Sequence, residues 1–155
     1  MDDLAKIPGV ILTKLPILPT SNGAVMKALK IGDLGFCGFG EAYYSTVDDG
    51  VVKGWKLHKD LTLNLTVPNG SITFALYYEK EAARYTAKVT LSPRSLYARL
   101  TVPPDIWLSF RGNEPDSLVM NIINGKHDPS ETRERNLDHP DMPAAWAKNP
   151  TAVNL

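Results

Sequence analysis

Short runs of apolar residues follow one another along the chain, and turn-forming residues separate them. The clearest run, from Leu61 to Val67, reads Leu, Thr, Leu, Asn, Leu, Thr, Val. An alternation with a period of two is typical of a β-strand that is buried on one face. The pattern therefore predicts that Leu61, Leu63, Leu65 and Val67 face the core.

Similar segments predict further strands on both sides of this run. Residues 41–47 are rich in Tyr, Thr and Val and end at Asp48-Asp49-Gly50, and residues 51–57 resume at once, which predicts a hairpin. Pro68-Asn69-Gly70 turns the chain into a strand over residues 71–78. Other predicted strands are 10–14, 87–91, 97–102, 106–110 and 117–123, whereas 79–85 is expected to form a loop or a short helical turn.

The spacing of turn residues indicates the fold class. Twelve prolines and eleven glycines are spread through most of the chain, which argues against long helices, and residues 26–29 are the one helix candidate. Many short strands joined by turns are typical of a sandwich or barrel. We expect an all-β barrel or jelly roll with short or no helices, one domain over residues 1–155, and a polar, Pro-rich tail from about residue 124.

Composition excludes several classes of function. Seventeen basic residues balance seventeen acidic ones, so there is no overall attraction to nucleic acid or to an acidic membrane. Residues 1–14 do not read as a signal peptide, and no apolar run approaches the roughly 20 residues of a membrane span. The single cysteine, Cys37, excludes an internal disulfide. We expect a cytoplasmic protein with neither a nucleic-acid nor a membrane partner.

Histidine is scarce, which limits the candidates for acid–base chemistry. His58 follows a predicted strand beside several lysines, and it is interpreted as a general acid or base or, alternatively, as a surface residue. His127 is either a second acid–base group or a turn residue before Asp128-Pro129. His139 lies in the polar tail and is expected to be exposed to solvent.

Other chemistry has less support. No two histidines stand at short ligand spacing, so we expect no catalytic metal, and the glycine-rich run at residues 35–40 lacks the Gly-Lys-Ser or Gly-Lys-Thr of a phosphate loop. Cations such as Lys53 and Arg99 could bind a diphosphate, although such residues often only solvate a strand face. Tyr43 and Trp55 could stack on a base or a sugar, although aromatic residues more often pack in a core.

Taken in order, several segments resemble the family of dTDP-4-dehydrorhamnose 3,5-epimerases and their shorter relatives. Residues 51–58, Val-Val-Lys-Gly-Trp-Lys-Leu-His, look like the strand that carries the catalytic histidine of that family. The other matching segments are Ile-Pro-Gly-Val at 7–10, Thr-Val-Pro-Asn-Gly and the following hairpin at 66–78, Leu-Thr-Val-Pro-Pro-Asp-Ile-Trp at 100–107, and the closing segments 127–131 and 137–146. The resemblance covers nearly the whole chain.

The resemblance implies a cupin-type barrel, a homodimer that exchanges strands, and proton abstraction next to a sugar ketone without metal or redox cofactor. Lys56 falls at the position of the catalytic histidine of the family, with His58 two residues further on, Lys53 falls at a substrate-positioning arginine, and His127 falls at the tyrosine acid. Strand alternation places Lys56 and His58 on one face. The acidic C-terminal motif that pairs with the family's histidine is absent, so no partner for His58 is predicted.

These inferences lead to a main hypothesis with two alternatives. The main hypothesis is a nucleotide-sugar 3,5-epimerase or related isomerase that acts on a 4-keto-6-deoxy sugar. Lys56, His58 and His127 would be catalytic, and the substrate-binding residues would be Lys53, Trp55, Tyr43 and Arg99. The alternatives are a non-catalytic sugar-nucleotide-binding or accessory protein, and a structural barrel whose interior is filled by side chains.

Overall fold

A computed structural model describes residues 3–146, and this part of the chain is built almost entirely from antiparallel β-strands. Two single-turn 3-10 helices, Leu4–Lys6 and Pro129–Glu131, are the helical elements of the described residues. The strands are β1 Ile11–Lys14, β2 Ile17–Thr20, β3 Gly23–Met26, β4 Glu41–Val47, β5 Val52–His58, β6 Leu63–Asn69, β7 Ile72–Lys80, β8 Ala83–Leu91, β9 Ala98–Val102, β10 Trp107–Gly112, β11 Ser117–Ile123 and β12 Thr132–Glu134.

The strands form two five-stranded sheets that enclose the core. The first sheet has the order β1-β9-β6-β11-β4 and the second has the order β12-β5-β10-β7-β8, while β2 and β3 form a separate hairpin. All-β architecture, as predicted, is therefore confirmed. No helix in residues 3–146 is long and apolar enough to cross a membrane.

The predicted inward face of the alternating run is buried as expected. Leu61, Leu63, Leu65 and Val67 are at most 7% exposed and belong to the main core cluster. They pack against core residues of β7, β9, β10 and β11. Full burial of such side chains stabilises the fold by about 1.5–3 kcal/mol each, before the entropy cost of ordering the chain.

The hairpin predicted at residues 41–57 and the one that the resemblance implies at residues 66–78 are both wrong, because each turn carries the chain from one sheet to the other. After Asp48-Asp49-Gly50, β4 lies in the first sheet beside β11, whereas β5 lies in the second beside β10 and β12. Likewise β6 and β7 fall in different sheets across Pro68-Asn69-Gly70. A turn sequence predicts that the chain reverses its direction, but the chain can reverse either within one sheet or while it passes to the other sheet.

The remaining differences from prediction are local. The segment 79–85 is the tip of a long hairpin, since β7 and β8 pair from Ile72–Leu91 to Lys80–Ala83. The helix candidate at 26–29 instead begins at the end of β3 and continues without regular structure. β2, β3 and β12 were not predicted, because their apolar alternation is too short to stand out. Residues 147–155 of the predicted tail and residues 1–2 lie outside the described residues.

A buried arginine fastens the long segment between β3 and β4 to the outer face of the first sheet. Arg99 on β9 is 0% exposed. One terminal nitrogen donates to Ala28 O at 2.7 Å and to Asp33 Oδ2 at 3.1 Å, and the other donates to Leu34 O at 2.9 Å. Because its strand neighbours Ala98 and Leu100 face the core, Arg99 faces outward.

We expect Arg99→Met to lower the free energy of unfolding by about 3 kcal/mol, because it leaves two backbone carbonyls and Asp33 without their donor. Urea denaturation measures this change. The control is Arg84→Met, whose exposed ion pair with Glu79 at 3.0 Å is worth less than about 1 kcal/mol. Equal effects of the two substitutions would contradict a clamping role for Arg99.

Candidate active site

A cavity of about 940 Å³ opens between the two sheets. Its apolar floor is formed by Leu63, Leu65, Leu108, Phe110 and Val119. Its polar lining comes from β4, β5 and β11 and from the chain around β12: Glu41, Tyr43, Ser45, Lys53, Lys56, His58, Asn121, His127, Glu134, Arg135, Asn136 and His139. A concave pocket in which polar groups converge above an apolar floor is typical of a small-molecule site.

A β-bulge in β5 determines which of its side chains face the cavity and which face the opposite side of the sheet. The register of β5 against β10 shifts between the pairs Lys56–Leu108 and Lys53–Phe110. Gly54 lies at this bulge with φ 108°, and a Cβ there would lie 2.7 Å from Leu108 O. Only glycine therefore fits. As a result Lys53, Lys56 and His58 all line the cavity.

His58 is held by a buried carboxylate. Its Nδ1 contacts Glu131 Oε1, and both residues are 7% exposed. The second carboxylate oxygen, Oε2, accepts from the backbone N–H of Lys59 at 3.1 Å and of Asp60 at 3.2 Å. The Glu131 carboxylate is thus fixed by the strand end that carries His58, and β12 continues this contact by pairing Thr132 with His58.

The charge state of Glu131 decides which nitrogen of His58 carries the proton. Burial raises the pKa of Glu131, but the hydrogen bond with His58, the amides of Asp60 and Lys59 and the charge of His58 together hold that pKa below its ordinary value of 4.5. An ionised carboxylate only accepts hydrogen bonds, so Nδ1 of His58 carries the shared proton. The lone pair of neutral His58 is therefore on Nε2, the usual arrangement of a histidine base.

The other two predicted catalytic residues also reach the cavity. Lys56 projects from β5 on the same side as His58, and its Nζ lies 3.1 Å from Glu134 Oε1. His127 lines the cavity from the segment after β11, where its backbone N–H donates to Glu41 Oε2 at 2.9 Å. The structure therefore brings Lys56, His58 and His127 to one space, although 71 residues separate Lys56 from His127 in the sequence.

The predicted substrate-binding residues divide into two groups. Tyr43 and Lys53 line the cavity; the Tyr43 hydroxyl accepts from Asn121 Nδ2 at 3.0 Å, and Lys53 Nζ donates to Thr46 O at 2.6 Å. Arg99 does not line it, and its guanidinium already holds the 28–34 segment, so we correct this prediction: Arg99 is a structural residue. The basic charge of Arg99 could not reveal which face of β9 it occupies.

Trp55 also departs from its prediction as a stacking surface. It adjoins the cavity, but its side chain is 1% exposed and packs in a second apolar cluster with Leu57 and Trp107. Met142 and Ala145 from the C-terminal segment belong to the same cluster. No ring face of Trp55 is open to a ligand, because alternation along β5 turns Trp55 and Leu57 away from Lys56 and His58.

Three residues of the site were not predicted from the sequence, and two of them, Asn121 and His139, line the cavity. Glu131 lies 73 positions from His58, and within the matching segment 127–131 only His127 was assigned a role. Asn121 occupies an inward position of an apolar strand, a pattern that could have indicated a functional polar group. His139 lines the cavity with its side chain 35% exposed, so the expectation of simple solvent exposure was incomplete. Residues 3–146 contain no cluster of three or more His, Cys, Asp or Glu that could hold a metal ion.

Comparison with solved structures gives strong matches over most of the chain. A dTDP sugar isomerase from Desulfovibrio desulfuricans G20 is 31% identical and superposes with a TM-score of 0.84, covering 92% of this chain and 94% of that one. No protein-family model matches the sequence, and no curated protein matches it.

More distant matches share the fold. A variant of the sugar 3,4-ketoisomerase from Thermoanaerobacterium thermosaccharolyticum, in complex with TDP-4-keto-6-deoxyglucose, is 22% identical with a TM-score of 0.70, covering 85% of this chain and 91% of that one. The dTDP-4-dehydrorhamnose 3,5-epimerase from Sulfolobus tokodaii is 22% identical with a TM-score of 0.73, covering 83% of this chain and 77% of that one. The cupin-type barrel expected from the resemblance is thereby confirmed.

The His58–Glu131 contact predicts a pH dependence of stability. Because the pKa of Glu131 is lower in the folded state, its contribution is complete above the unfolded value near 4.5 and is lost as pH falls through the folded value. We expect Glu131→Gln to destabilise the protein at pH 7 and to be less destabilising at pH 3. Urea unfolding across this range measures the effect. Glu134→Gln, at an exposed carboxylate, is the control and should follow the wild-type profile; a constant difference between Glu131→Gln and wild type would refute the assignment.

Proposed function

The chain belongs to the family of dTDP-sugar isomerases and dTDP-4-dehydrorhamnose 3,5-epimerases, and from this premise we propose that it epimerises or isomerises a nucleotide-linked 4-keto-6-deoxy sugar. The observation that carries the proposal is that His58, which lines the cavity, is paired with the buried carboxylate of Glu131. The cavity volume of about 940 Å³ lies within the usual range for small-molecule sites, about 300–1,000 Å³.

His58 is the proposed base. Its Nε2 removes the proton from a carbon next to the ketone, and the C–H electron pair moves to form the enolate, with negative charge on the former ketone oxygen. Glu131 keeps the ring oriented and stabilises the imidazolium that forms, because its ionised carboxylate accepts the Nδ1 proton. The carboxylate itself takes no proton in this step.

Lys56 is the proposed stabiliser of the enolate. Its ammonium group lies on the His58 face of β5, and apolar side chains such as Leu108 form the adjacent wall. A cation near apolar walls interacts more strongly with a developing negative charge than it would in bulk water. Glu134 balances the charge of Lys56, because its Oε1 lies 3.1 Å from Lys56 Nζ.

His127 is the proposed acid that completes the reaction. For epimerisation, a proton is delivered to the opposite face of the same carbon and the enolate returns to a ketone. For isomerisation, the enolate oxygen is protonated to give an enediol, the neighbouring hydroxyl loses its proton to become the new ketone, and the former ketone carbon receives a proton. Tyr43 and Lys53 line the same cavity and are proposed to bind the substrate, with Lys53 facing the diphosphate.

The site supports a catalytic role more than either alternative. A non-catalytic binding protein would have no need for a buried carboxylate aimed at His58, since burying a charged group costs free energy unless it is paired. Perturbed, paired titratable groups in a cavity are typical of enzymes. A structural barrel filled by side chains would lack an open volume of about 940 Å³.

Deuterium exchange tests the reaction. We expect the protein in heavy water with dTDP- and GDP-linked 4-keto-6-deoxy sugars to introduce deuterium next to the ketone, as observed by NMR. Exchange at C3 or C5 with the ketone unmoved indicates an epimerase, and deuterium at C4 with a ketone at C3 indicates an isomerase. His58→Asn should reduce the rate by at least about 10³-fold, and Glu131→Gln by about 10²-fold, because general-base catalysis contributes factors of this size.

The thermal midpoint of each variant provides the control for folding. Exchange that is unchanged in a folded His58→Asn protein would remove His58 from the mechanism. Tight binding of a sugar nucleotide by the wild-type protein without exchange would favour the non-catalytic alternative.

We also propose that the chain forms a homodimer in the cytoplasm through the β2–β3 hairpin. The hairpin pairs with no other strand in the described residues, and an isolated two-stranded hairpin is marginally stable in water. Leu18 and Val25 face each other across it and are 44% and 47% exposed. Nearby in sequence, Ile31 and Leu34 are 84% and 74% exposed. A second copy would cover this apolar surface, and the free, exposed Cys37 suits a reducing compartment.

Light scattering after gel filtration tests the homodimer. We expect wild-type protein at twice the 17.1 kDa chain mass, and the double substitution Leu18→Asp and Val25→Asp should give the monomer, because two adjacent carboxylates without a counter-charge are costly to bury at an apolar contact. Leu137→Asp, at an exposed leucine of the C-terminal segment, is the control and should remain dimeric. A monomeric wild-type protein would rule the proposal out.

A further inference from the structure

Asn121 places an unpaired polar atom between two apolar residues in the inward row of β11. Its neighbours in this row, Val119 and Ile123, belong to the main core, and Asn121 is 5% exposed and lines the cavity. The side-chain nitrogen donates to the Tyr43 hydroxyl at 3.0 Å. The side-chain oxygen, Oδ1, is buried and has no hydrogen-bond partner among the described residues.

An unpaired buried carbonyl is costly for the free protein. Such a group costs about 1–3 kcal/mol when no partner is present, and a leucine of similar size would avoid the cost. Polar groups of this kind therefore call for an explanation beyond stability. Since Asn121 belongs to the cavity wall, a group of a bound ligand is the partner that the position implies.

The contact between Asn121 and Tyr43 defines the chemistry of the ligand group that would bind here. Tyr43 is half-buried, and its oxygen accepts from Asn121. Its own proton has no acceptor among the described residues, so it can donate into the cavity. The pair thus holds one acceptor, Asn121 Oδ1, and one donor, the Tyr43 hydroxyl, in the same part of the cavity wall.

We propose that Asn121 and Tyr43 together bind one ring hydroxyl of the keto sugar and make the enzyme selective for it. A hydroxyl group both donates and accepts, so it satisfies both partners at once. The ketone and the ionised diphosphate only accept, and neither would satisfy Asn121 Oδ1. This inference rests on the proposed function, because it assigns a specificity contact within the same site.

Binding measurements in the His58→Asn background test the assignment without turnover. The ligands are dTDP, dTDP-4-keto-6-deoxyglucose and its 2-deoxy and 3-deoxy analogues, measured by calorimetry with Asn121 present and with Asn121→Leu. We expect Asn121→Leu to weaken binding of the complete sugar nucleotide by about tenfold to a hundredfold and to leave dTDP affinity within about twofold. The deoxy analogue that lacks the recognised hydroxyl should bind equally to the protein with Asn121 and to the Asn121→Leu protein.

A matched control separates recognition from stability. Thr66 also carries a buried, unpaired side-chain oxygen, but it does not line the cavity. Thr66→Val and Asn121→Leu should each maintain or raise the thermal midpoint, and only Asn121→Leu should weaken sugar binding. Tyr43→Phe should weaken sugar binding as Asn121→Leu does, because it removes the donor of the same pair.

The outcomes distinguish this assignment from the function on which it rests. If the protein with Asn121 binds no sugar nucleotide and the wild type exchanges no deuterium, both the proposed function and the assignment fail. If the sugar nucleotide binds and Asn121→Leu changes nothing, only the assignment fails. If Asn121→Leu weakens the binding of dTDP as much as it weakens the binding of the complete sugar nucleotide, Asn121 contacts the nucleotide. That result would also overturn the assignment.

Discussion

The hydrogen bond between the His58 imidazole and the Glu131 carboxylate is the constraint on which the arrangement of the site depends. It joins the end of β5 to the turn before β12, and the backbone amides of Lys59 and Asp60 fix the second carboxylate oxygen. Because Glu131 stays ionised, the proton on Nδ1 and the lone pair on Nε2 are both determined. The same contact places β12 on the edge of the second sheet, where Glu134 can approach Lys56.

The bulge at Gly54 allows one strand to serve two environments. On the cavity side, β5 presents Lys56 and His58, while on the other side it presents Trp55 and Leu57 to an apolar cluster. The C-terminal segment covers that cluster, and the Trp146 indole nitrogen donates to Ser109 Oγ at 2.8 Å. Packing on the outer face thus holds the strand rigid where its inner face carries the chemistry, as precise positioning of catalytic groups requires.

The cavity combines an apolar floor with polar groups on its opposite walls. Leucine and phenylalanine side chains lower the local dielectric, which strengthens the interaction of Lys56 with a negative charge inside the cavity. The same surroundings make an unpaired atom such as Asn121 Oδ1 costly. Both features favour a ligand that brings its own polar groups, such as the ketone and the hydroxyl of the proposed substrate.

The sequence by itself determined the all-β class, most strand positions, the inward face of β6, and the strand that carries Lys56 and His58, because these follow from local alternation and turn residues. Only the tertiary structure decided which strands pair, since a turn can reverse the chain within a sheet or carry it to the other sheet. It also decided that Glu131 meets His58, that Arg99 faces outward and that Trp55 is covered. The physical reason is that these properties depend on contacts between segments distant in the chain, and local periodicity carries no information about them.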